Sequence, residues 1–298
     1  MPSDLDLRGI YVPLVTPFTA DGGVAADSID ALCHHYLDAG ATGIVALGTT
    51  GESPALDAAE RAVVTDTCAA VCSQRGAQLI VGAGTNNTAT TVASVAALEG
   101  TPALSAALVV VPYYVRPAQS ALVEHFRAAA EASPVPLVLY NIPSRTGRNL
   151  DPEAMLEVAA LPNVAGVKQA TSGLDLDTLR VLAGRPDNFH VLGGEDPFLF
   201  PIVLMGGSGA ICASAHLCTE RFVAMIECGL AGKVDDGRAH AEALLPVVRA
   251  GFAEPNPSVF KGVLHRQGLI PTPDLRMPLA PASDVAVEAA LAAVEAAT

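Results

Sequence analysis

The feature that most constrains this chain is an eightfold alternation of a short apolar run with a longer amphipathic stretch. The apolar runs are continuous rather than alternating, which is typical of parallel strands that are covered on both faces. The predicted strands are Ile10–Phe18, Gly43–Gly48, Gln78–Gly84, Ala107–Tyr113, Leu137–Ile142, Val164–Gln169, His190–Gly194 and Ala210–Ala213. The predicted helices are Ala26–Ala39, Asp57–Arg75, Thr88–Leu98, Ser120–Ala132, Pro152–Ala160, Asp175–Ala183, Phe198–Met205 and Thr219–Leu230. Eight strand–helix units predict an α/β fold, a closed (β/α)8 TIM barrel.

The alternation ends near Gly232, and the remaining residues show helical patterns only. Pro-rich breaks interrupt these patterns at 254–257 and 271–273. We therefore predict a barrel domain in residues 1–231 and a C-terminal helical domain in residues 232–298. No GxGxxG follows the first strand, so the dinucleotide-binding fold lacks its sequence fingerprint.

Composition excludes several classes of partner. The formal net charge is −14, with 17 basic against 31 acidic residues, which argues against nucleic acid and anionic membranes as partners. No apolar run approaches the ~20 residues of a membrane span, and no secretory signal is recognisable. The six cysteines form no CxxC pair and are interpreted as buried, reduced thiols. These observations predict a cytoplasmic protein.

One of the three lysines occupies an unusual place for a charged side chain. Lys168 lies in the apolar sixth strand, where poor hydration favours the neutral amine. A neutral amine is a nucleophile that attacks carbonyls to form a Schiff base. The alternative is a structural lysine paired with a buried carboxylate. Lys233 and Lys261 are interpreted as ordinary charges at a polar helix start and on an amphipathic helix.

Chemically useful residues follow the predicted strands, and in a barrel the carboxyl ends of the strands form the active site. Tyr140 is one strand away from Lys168 and can donate and accept protons during loss of water. Thr49 can supply a hydroxyl partner, and Tyr114 can connect these hydroxyls to solvent. The sequence therefore predicts a proton relay beside the lysine.

Other strand-end residues suit the binding of carboxylates. The glycine-rich turn that contains Thr50 offers backbone amides and a hydroxyl to a keto-acid carboxylate, although a plain turn is the alternative. Arg145 suits a second carboxylate or a surface ion pair. Glu195 and Asp196 are interpreted as caps of the next helix, with contact to substrate hydroxyls as the alternative. The histidines show no metal-ligand spacing, so no metal is predicted.

Four motifs together resemble the dihydrodipicolinate synthase / N-acetylneuraminate lyase family of Schiff-base aldolases over essentially the full length. They are GTTGES at 48–53, PYY at 112–114, YNIPSRTG at 140–147 and GVK at 166–168. The chain looks most like the branch that condenses pyruvate with L-aspartate-4-semialdehyde to 4-hydroxy-tetrahydrodipicolinate, on the route to diaminopimelate and lysine. The resemblance implies a covalent Schiff base without a dissociable cofactor. It also implies a homotetramer built as a dimer of dimers.

The resemblance also implies a role for each matched residue. Lys168 corresponds to the Schiff-base lysine. The proton relay corresponds to Tyr140, Thr49 and a Tyr114 that enters the neighbouring subunit's site. The remaining matches are Thr50 as ligand of the pyruvate carboxylate, Arg145 as ligand of the semialdehyde carboxylate, and Gly194 and the Ile211 carbonyl as pocket lining.

Some positions depart from the family pattern. Gln169, Val115 and His216 replace residues common in the family, and His216 is expected to influence substrate choice. At the site where lysine inhibits some members, Ser53 and Asn86 are retained. Ala58, Arg61 and Thr90 replace His, His and Glu there, so lysine feedback is not expected.

Two alternative functions stay open at this point. The first is another class I pyruvate aldolase of the same family: an N-acetylneuraminate lyase, a 2-keto-3-deoxy sugar acid aldolase or a hydratase-aldolase. The second is a non-catalytic sensor that binds a keto acid.

Overall fold

The computed structural model describes residues 5–298. Eight parallel strands form a closed barrel in chain order, and the last strand pairs with the first. The strands are β1 (Gly9–Pro13), β2 (Gly43–Ala46), β3 (Gln78–Gly82), β4 (Leu104–Val110), β5 (Leu137–Asn141), β6 (Val164–Gln169), β7 (His190–Gly193) and β8 (Gly209–Ile211). The predicted (β/α)8 barrel is confirmed.

Twelve α-helices surround and extend the barrel in the described part of the chain. They are α1 (Ala26–Asp38), α2 (Ala58–Arg75), α3 (Thr88–Ala96), α4 (Gln119–Ala132), α5 (Pro143–Thr146), α6 (Pro152–Ala159), α7 (Leu176–Gly184), α8 (Leu199–Leu204), α9 (Thr219–Leu230), α10 (Val234–Gly251), α11 (Ser258–Arg266) and α12 (Asp284–Ala297). No helix within residues 5–298 is both long and apolar enough to cross a membrane.

The predicted elements differ from the observed ones mainly at their ends. β1 ends at Pro13, five residues before the predicted end, and Phe18 instead forms an isolated antiparallel bridge with Val24. The four-residue helix α5 was not predicted, because a single turn shows no hydrophobic periodicity. β4 begins three residues earlier than predicted, at Leu104.

The barrel buries both faces of its strands. All six residues of β6 are buried, as the continuous apolar pattern indicated. Alternate strand residues pack together as one cluster inside the barrel, and it includes Tyr11, Val45, Ile80 and Val138. The other strand residues pack outward against the helices. Burial on both faces fixes which side chains point into the barrel, and therefore the register on which the site depends.

The C-terminal helices pack against the barrel. Helix α10 lies on α9, and α11 and α12 share an apolar cluster with Ala213 and Leu217, which follow β8. That residues 232–298 form a separate domain stays a prediction. The packing nevertheless brings C-terminal residues to the carboxyl ends of the strands.

Candidate active site

A cavity of about 560 Å³ opens at the carboxyl ends of the barrel strands. Its walls come from the loops after β2, β5, β7 and β8, from Lys168 on β6, and from helix α10 with the segment that follows it. The lining residues are Thr49, Thr50, Tyr140, Ile142, Ser144, Arg145, Lys168, Gly194, Glu195, Asp196, Pro197, Ala213, Leu245, Val248, Arg249, Phe252 and Asn256. This is the end of the barrel at which barrel enzymes carry out their chemistry.

Lys168 reaches this cavity from the barrel interior. Its side chain is 7% exposed, and the neighbouring strand places Tyr140 directly opposite it in the sheet register. The Lys168 Nζ lies 4.5 Å from the centroid of the Tyr140 ring. The adjacent strands β5 and β6 therefore bring an amine and a phenol into contact, as the sequence predicted.

Gly194 makes room for the lysine chain. A Cβ atom at this position would lie 2.8 Å from Lys168 Cγ and 2.9 Å from Lys168 Cε, closer than carbon atoms normally approach. A side chain at position 194 would therefore displace Lys168. The structure gives a physical reason for glycine at a position that the sequence assigned to the pocket.

The turn after β2 carries Thr49 and Thr50 in a tight conformation. Leu47 and Glu52, on either side of the two threonines, have left-handed φ angles of 56° and 54°. Thr16 Oγ1 donates a hydrogen bond to the Gly51 carbonyl at 2.7 Å. Thr50 is buried, and its hydroxyl accepts a hydrogen bond from Asn256 Nδ2 at 3.1 Å. The turn is therefore held from two sides and is more than a plain surface loop.

A buried ion pair fixes the same turn, and the sequence analysis missed it. Lys261 Nζ lies 2.9 Å from Glu52 Oε1, and the two side chains are 0% and 1% exposed. The Lys261 ammonium also donates to the Thr16 carbonyl, and the Arg276 amide donates to Glu52 Oε2. The interpretation of Lys261 as an ordinary charge on an amphipathic helix is therefore wrong. Burial lowers the pKa of Lys261, and the Glu52 carboxylate opposes that shift.

Asn256 lines the cavity, and the sequence analysis did not single it out. It lies in the Pro-rich break between α10 and α11, which the sequence showed only as an interruption of helical pattern. Its Nδ2 bonds Thr50, whereas its Oδ1 is buried and has no hydrogen-bond partner in the described structure. A buried amide oxygen without a partner is uncommon in folded proteins, and this one belongs to a residue that lines the cavity.

Two carboxyl groups line the cavity beside Lys168. Burial raises the pKa of Glu195, with a further contribution from Asp196, while Arg145 and Lys168 oppose the shift. Burial also raises the pKa of Asp196, whose Oδ2 accepts a hydrogen bond from the Ser214 amide at 2.8 Å. Neither side chain caps the following helix, so that interpretation is wrong. The Asp196 carboxylate instead connects the loops that follow β7 and β8.

Arg145 lies in the short helix α5 at the edge of the cavity. Pro143 begins this helix, and Gly147 ends it with a left-handed φ of 71°. Arg145 is exposed and lines the cavity without an ion-pair partner in residues 5–298. The alternative of a surface ion pair therefore has no support from the structure.

The structure brings together six of the eight predicted residues: Lys168, Tyr140, Thr49, Thr50, Arg145 and Gly194. The remaining two do not line the cavity. Ile211 is fully buried at the end of β8, two residues before the lining residue Ala213. Tyr114 is 87% exposed, has a left-handed φ of 73°, and lines a surface pocket together with Arg116 and Arg145. Within one chain, Tyr114 therefore does not line the cavity that contains Lys168.

His216, a departure from the family pattern, does not line the cavity either. It is fully enclosed, and burial lowers its pKa to about 4. Its Nε2 accepts a hydrogen bond from the Val15 amide, and its Nδ1 donates to the Ala213 carbonyl at 2.8 Å. These bonds require the neutral ring, so His216 connects the segment after β1 to the segment after β8.

The fold and the cavity together define a (β/α)8-barrel protein with a buried lysine at the carboxyl ends of its strands. The chain belongs to the dihydrodipicolinate synthetase family, whose model matches residues 6–297. It is 37% identical to a 4-hydroxy-tetrahydrodipicolinate synthase of Listeria welshimeri, over 92% of this chain and 93% of the relative. It is 38% identical to the enzyme of that name from Moorella thermoacetica, over 91% of both chains.

Solved structures agree with this assignment. A dihydrodipicolinate synthase from Thermotoga maritima matches with a TM-score of 0.94 at 32% identity, over 98% of this chain and 99% of that one. A protein described as a monomeric dihydrodipicolinate synthase variant matches with a TM-score of 0.92 at 32% identity, over 97% and 96% of the two chains.

Proposed function

We propose that this protein condenses pyruvate with L-aspartate-4-semialdehyde to form 4-hydroxy-tetrahydrodipicolinate. The observation that carries the proposal is the buried Lys168 amine, which lies against the Tyr140 ring in a cavity that also contains Thr49, Thr50 and Arg145. Family membership and the names of the relatives support the same activity.

The reaction begins with a covalent bond between enzyme and keto acid. The Lys168 nitrogen attacks the C2 carbonyl of pyruvate, and the resulting carbinolamine loses water to give an imine. The Tyr140 hydroxyl provides the proton that the departing water requires and then accepts one from the methyl carbon, which leaves an enamine. Thr49, which lines the same cavity, serves as the hydroxyl partner through which these protons pass.

The enamine carbon then attacks the aldehyde carbon of the semialdehyde and forms the new carbon–carbon bond. The amino group of the second substrate subsequently attacks the imine carbon, closes the ring and releases the Lys168 amine. The imine itself accepts the electron pair of the broken C–H bond, so the proposed chemistry needs no dissociable cofactor. The Tyr140 hydroxyl passes the methyl proton to the aldehyde oxygen, which becomes the product hydroxyl, and then takes up the proton that the amino group loses on ring closure, so the free enzyme is regenerated.

Carboxylate binding sets the orientation of both substrates. The Thr50 hydroxyl and the amides of its turn bind the pyruvate carboxylate, and Arg145 binds the carboxylate of the semialdehyde at the cavity entrance. Tyr114 acts in the site of a neighbouring subunit within a homotetramer, which its 87% exposure in one chain supports. All six cysteines are unpaired thiols, which supports a location in the reducing cytoplasm.

Borohydride reduction in the presence of pyruvate tests the proposal. We expect one adduct per chain on the peptide that contains Lys168, no adduct in Lys168→Ala, and full labelling in the matched control Lys233→Ala. Turnover with L-aspartate-4-semialdehyde is then compared with turnover of N-acetylneuraminate and 2-keto-3-deoxy sugar acids. Consumption of a sugar acid alone would identify another aldolase of the family, and the absence of any adduct would contradict Schiff-base catalysis.

A further inference from the structure

Helix α10 presents one of its faces to the cavity that contains Lys168. The residues of α10 that line the cavity lie three or four positions apart and therefore share one side of the helix; they are Leu245, Val248, Arg249 and Phe252. Arg249 is the one charged side chain of this set, and it is exposed. The roles assigned so far to the cavity residues do not explain why a cation lies on this face.

Arg249 lacks a counter-charge of its own. No carboxylate within residues 5–298 lies within ion-pair distance of it. The other arginine of α10, Arg238, pairs with Asp235 and Glu242. Arg249 lies in the last turn of the helix, where a cation also interacts favourably with the helix dipole. That interaction requires a cation in the last turn, but not a cation that faces the cavity.

The cavity must admit anions although its walls carry acidic groups. Besides Lys168, which reacts as the neutral amine, the ionisable groups of the lining are two carboxyl groups, on Glu195 and Asp196, and two guanidinium groups, on Arg145 and Arg249. The whole chain has a net charge of −14. Without Arg249, a single guanidinium would face two carboxyl groups, and the cavity would repel an anionic substrate as the rest of the surface does.

A second cation matters most when the second substrate enters. In the proposed reaction the carboxylate of pyruvate stays in the cavity as part of the enamine, so the semialdehyde meets one more negative charge than pyruvate met. Burial raises the pKa of Glu195, and Arg145 opposes this shift, so part of the Arg145 charge is already balanced by that carboxyl group. Arg249 is the cation of the lining that remains for the incoming carboxylate.

We infer that Arg249 is a substrate-binding residue that attracts the carboxylate of the incoming semialdehyde at the cavity entrance and passes it to Arg145. This inference rests on the proposed function, because it requires an anionic second substrate. A guanidinium can hold a carboxylate through two parallel hydrogen bonds. Because Arg249 is exposed, this pairing is weak and is readily released. Arg249 therefore raises the local concentration of the semialdehyde and takes no part in the chemical steps.

Steady-state kinetics at two ionic strengths test this inference. At about 25 mM salt we expect Arg249→Gln to lower kcat/KM for L-aspartate-4-semialdehyde about tenfold. The kcat value and the KM for pyruvate should change less than about twofold, because the chemical steps and the pyruvate site are intact. At about 0.5 M salt the loss in kcat/KM should shrink to less than about threefold, because the Debye length falls from roughly 20 Å to about 4 Å.

The matched control is Arg238→Gln, which removes the same charge from the same helix outside the cavity. It should leave kcat/KM within about twofold of the unmodified protein. Two further variants at position 249 separate charge from packing. Arg249→Lys keeps the charge and should retain most of kcat/KM, whereas Arg249→Glu reverses it and should lower kcat/KM about 100-fold at low salt. A melting curve of each variant shows whether it folds.

Three results would overturn the inference: an unchanged kcat/KM in Arg249→Gln at low salt, an equal loss at both ionic strengths, or a loss confined to kcat. A role at the helix end alone would lower the melting temperature of Arg249→Gln and leave kcat/KM unchanged. If the unmodified protein did not consume the semialdehyde, the proposed function would fail and this inference with it. Normal turnover by the unmodified protein and by Arg249→Gln would contradict the inference alone.

Discussion

At the scale of single residues, Tyr140 has two chemically separable parts, a ring and a hydroxyl. The centroid of its ring lies 4.5 Å from Lys168 Nζ, and its hydroxyl is the proposed proton carrier. Tyr140→Phe keeps the ring and removes the hydroxyl. We expect turnover to fall about 10²- to 10⁴-fold, the usual contribution of a general acid–base group, with little change in thermal stability. Steady-state kinetics and a melting curve measure both, and turnover within a few-fold of the unmodified enzyme would contradict the assignment.

His216 gives a second prediction at this scale, because its pKa is lowered to about 4 in the folded protein. In the unfolded chain the ring takes up a proton near pH 6.5, whereas the folded ring stays neutral. The buried neutral ring therefore contributes fully to the free energy of unfolding above about pH 6.5. This contribution is lost as pH falls towards 4. It amounts to roughly 3 kcal/mol across that window.

Urea unfolding at a series of pH values measures this contribution. Between pH 6.5 and 4, the free energy of unfolding should depend less on pH in His216→Asn than in the unmodified protein, since asparagine does not titrate. The matched control His35→Asn changes an exposed histidine and should keep the full dependence. If the free energy of unfolding of His216→Asn changed with pH as steeply as that of the unmodified protein, the pKa of His216 would not be lowered in the folded protein.

At the scale of elements, helix α11 holds the turn after β2 through one buried ion pair. Lys261→Met leaves the Glu52 carboxylate buried without its cation, which costs about 3–5 kcal/mol in comparable cases. We expect a destabilisation of that size in urea unfolding, together with a raised KM for pyruvate because the turn carries Thr50. The control Arg238→Met breaks an exposed pair with Asp235 and should cost less than about 1 kcal/mol.

The double variant Lys261→Met/Glu52→Gln separates the charge from the packing. Removing both charges should recover part of the lost stability, because no buried carboxylate is then left unpaired. If Lys261→Met alone were as stable as the unmodified protein, the ion pair would be only an incidental contact.

The strands and helices also show which parts of the secondary structure the sequence could predict. Each strand was found because apolar residues buried on both faces leave a continuous pattern, as in Val164–Gln169, which matches β6 at both ends. The predicted start of β4 lay three residues too late, and the predicted end of β1 lay five residues too late. Hydrogen bonding to the neighbouring strand decides where a strand begins and ends, and the sequence pattern does not show it. Helix α5 was missed because four residues carry no period, although its Pro and Gly ends were visible.

At the scale of the whole molecule, the position of Tyr114 predicts shared active sites. Lys168→Ala removes the nucleophile from a subunit's own site, and Tyr114→Phe removes the hydroxyl that the subunit would contribute to its neighbour. We expect each variant alone to be nearly inactive. Co-expressed in equal amounts, they should regain roughly one intact site in four, because half of the pairs are mixed and each mixed pair contains one complete site.

Activity of the co-purified mixture, compared with the two separate variants, measures this recovery. No gain on mixing would contradict a contribution of Tyr114 across a subunit contact. Sedimentation of the unmodified protein provides the independent control, since a structural relative is described as a monomeric variant. A monomer with full activity would contradict the shared site.

Besides Gly194, which only the family resemblance indicated, the sequence by itself predicted the barrel, the buried lysine and four more residues around one cavity. It did so because burial leaves a periodic apolar pattern and because a barrel places every strand's carboxyl end at one rim. Only the tertiary structure showed that Lys261, Glu52 and Asn256 fix the threonine turn. Pairing between residues about 200 positions apart, such as Glu52 and Lys261, leaves no local pattern, because it depends on where the folded chain brings the two side chains together.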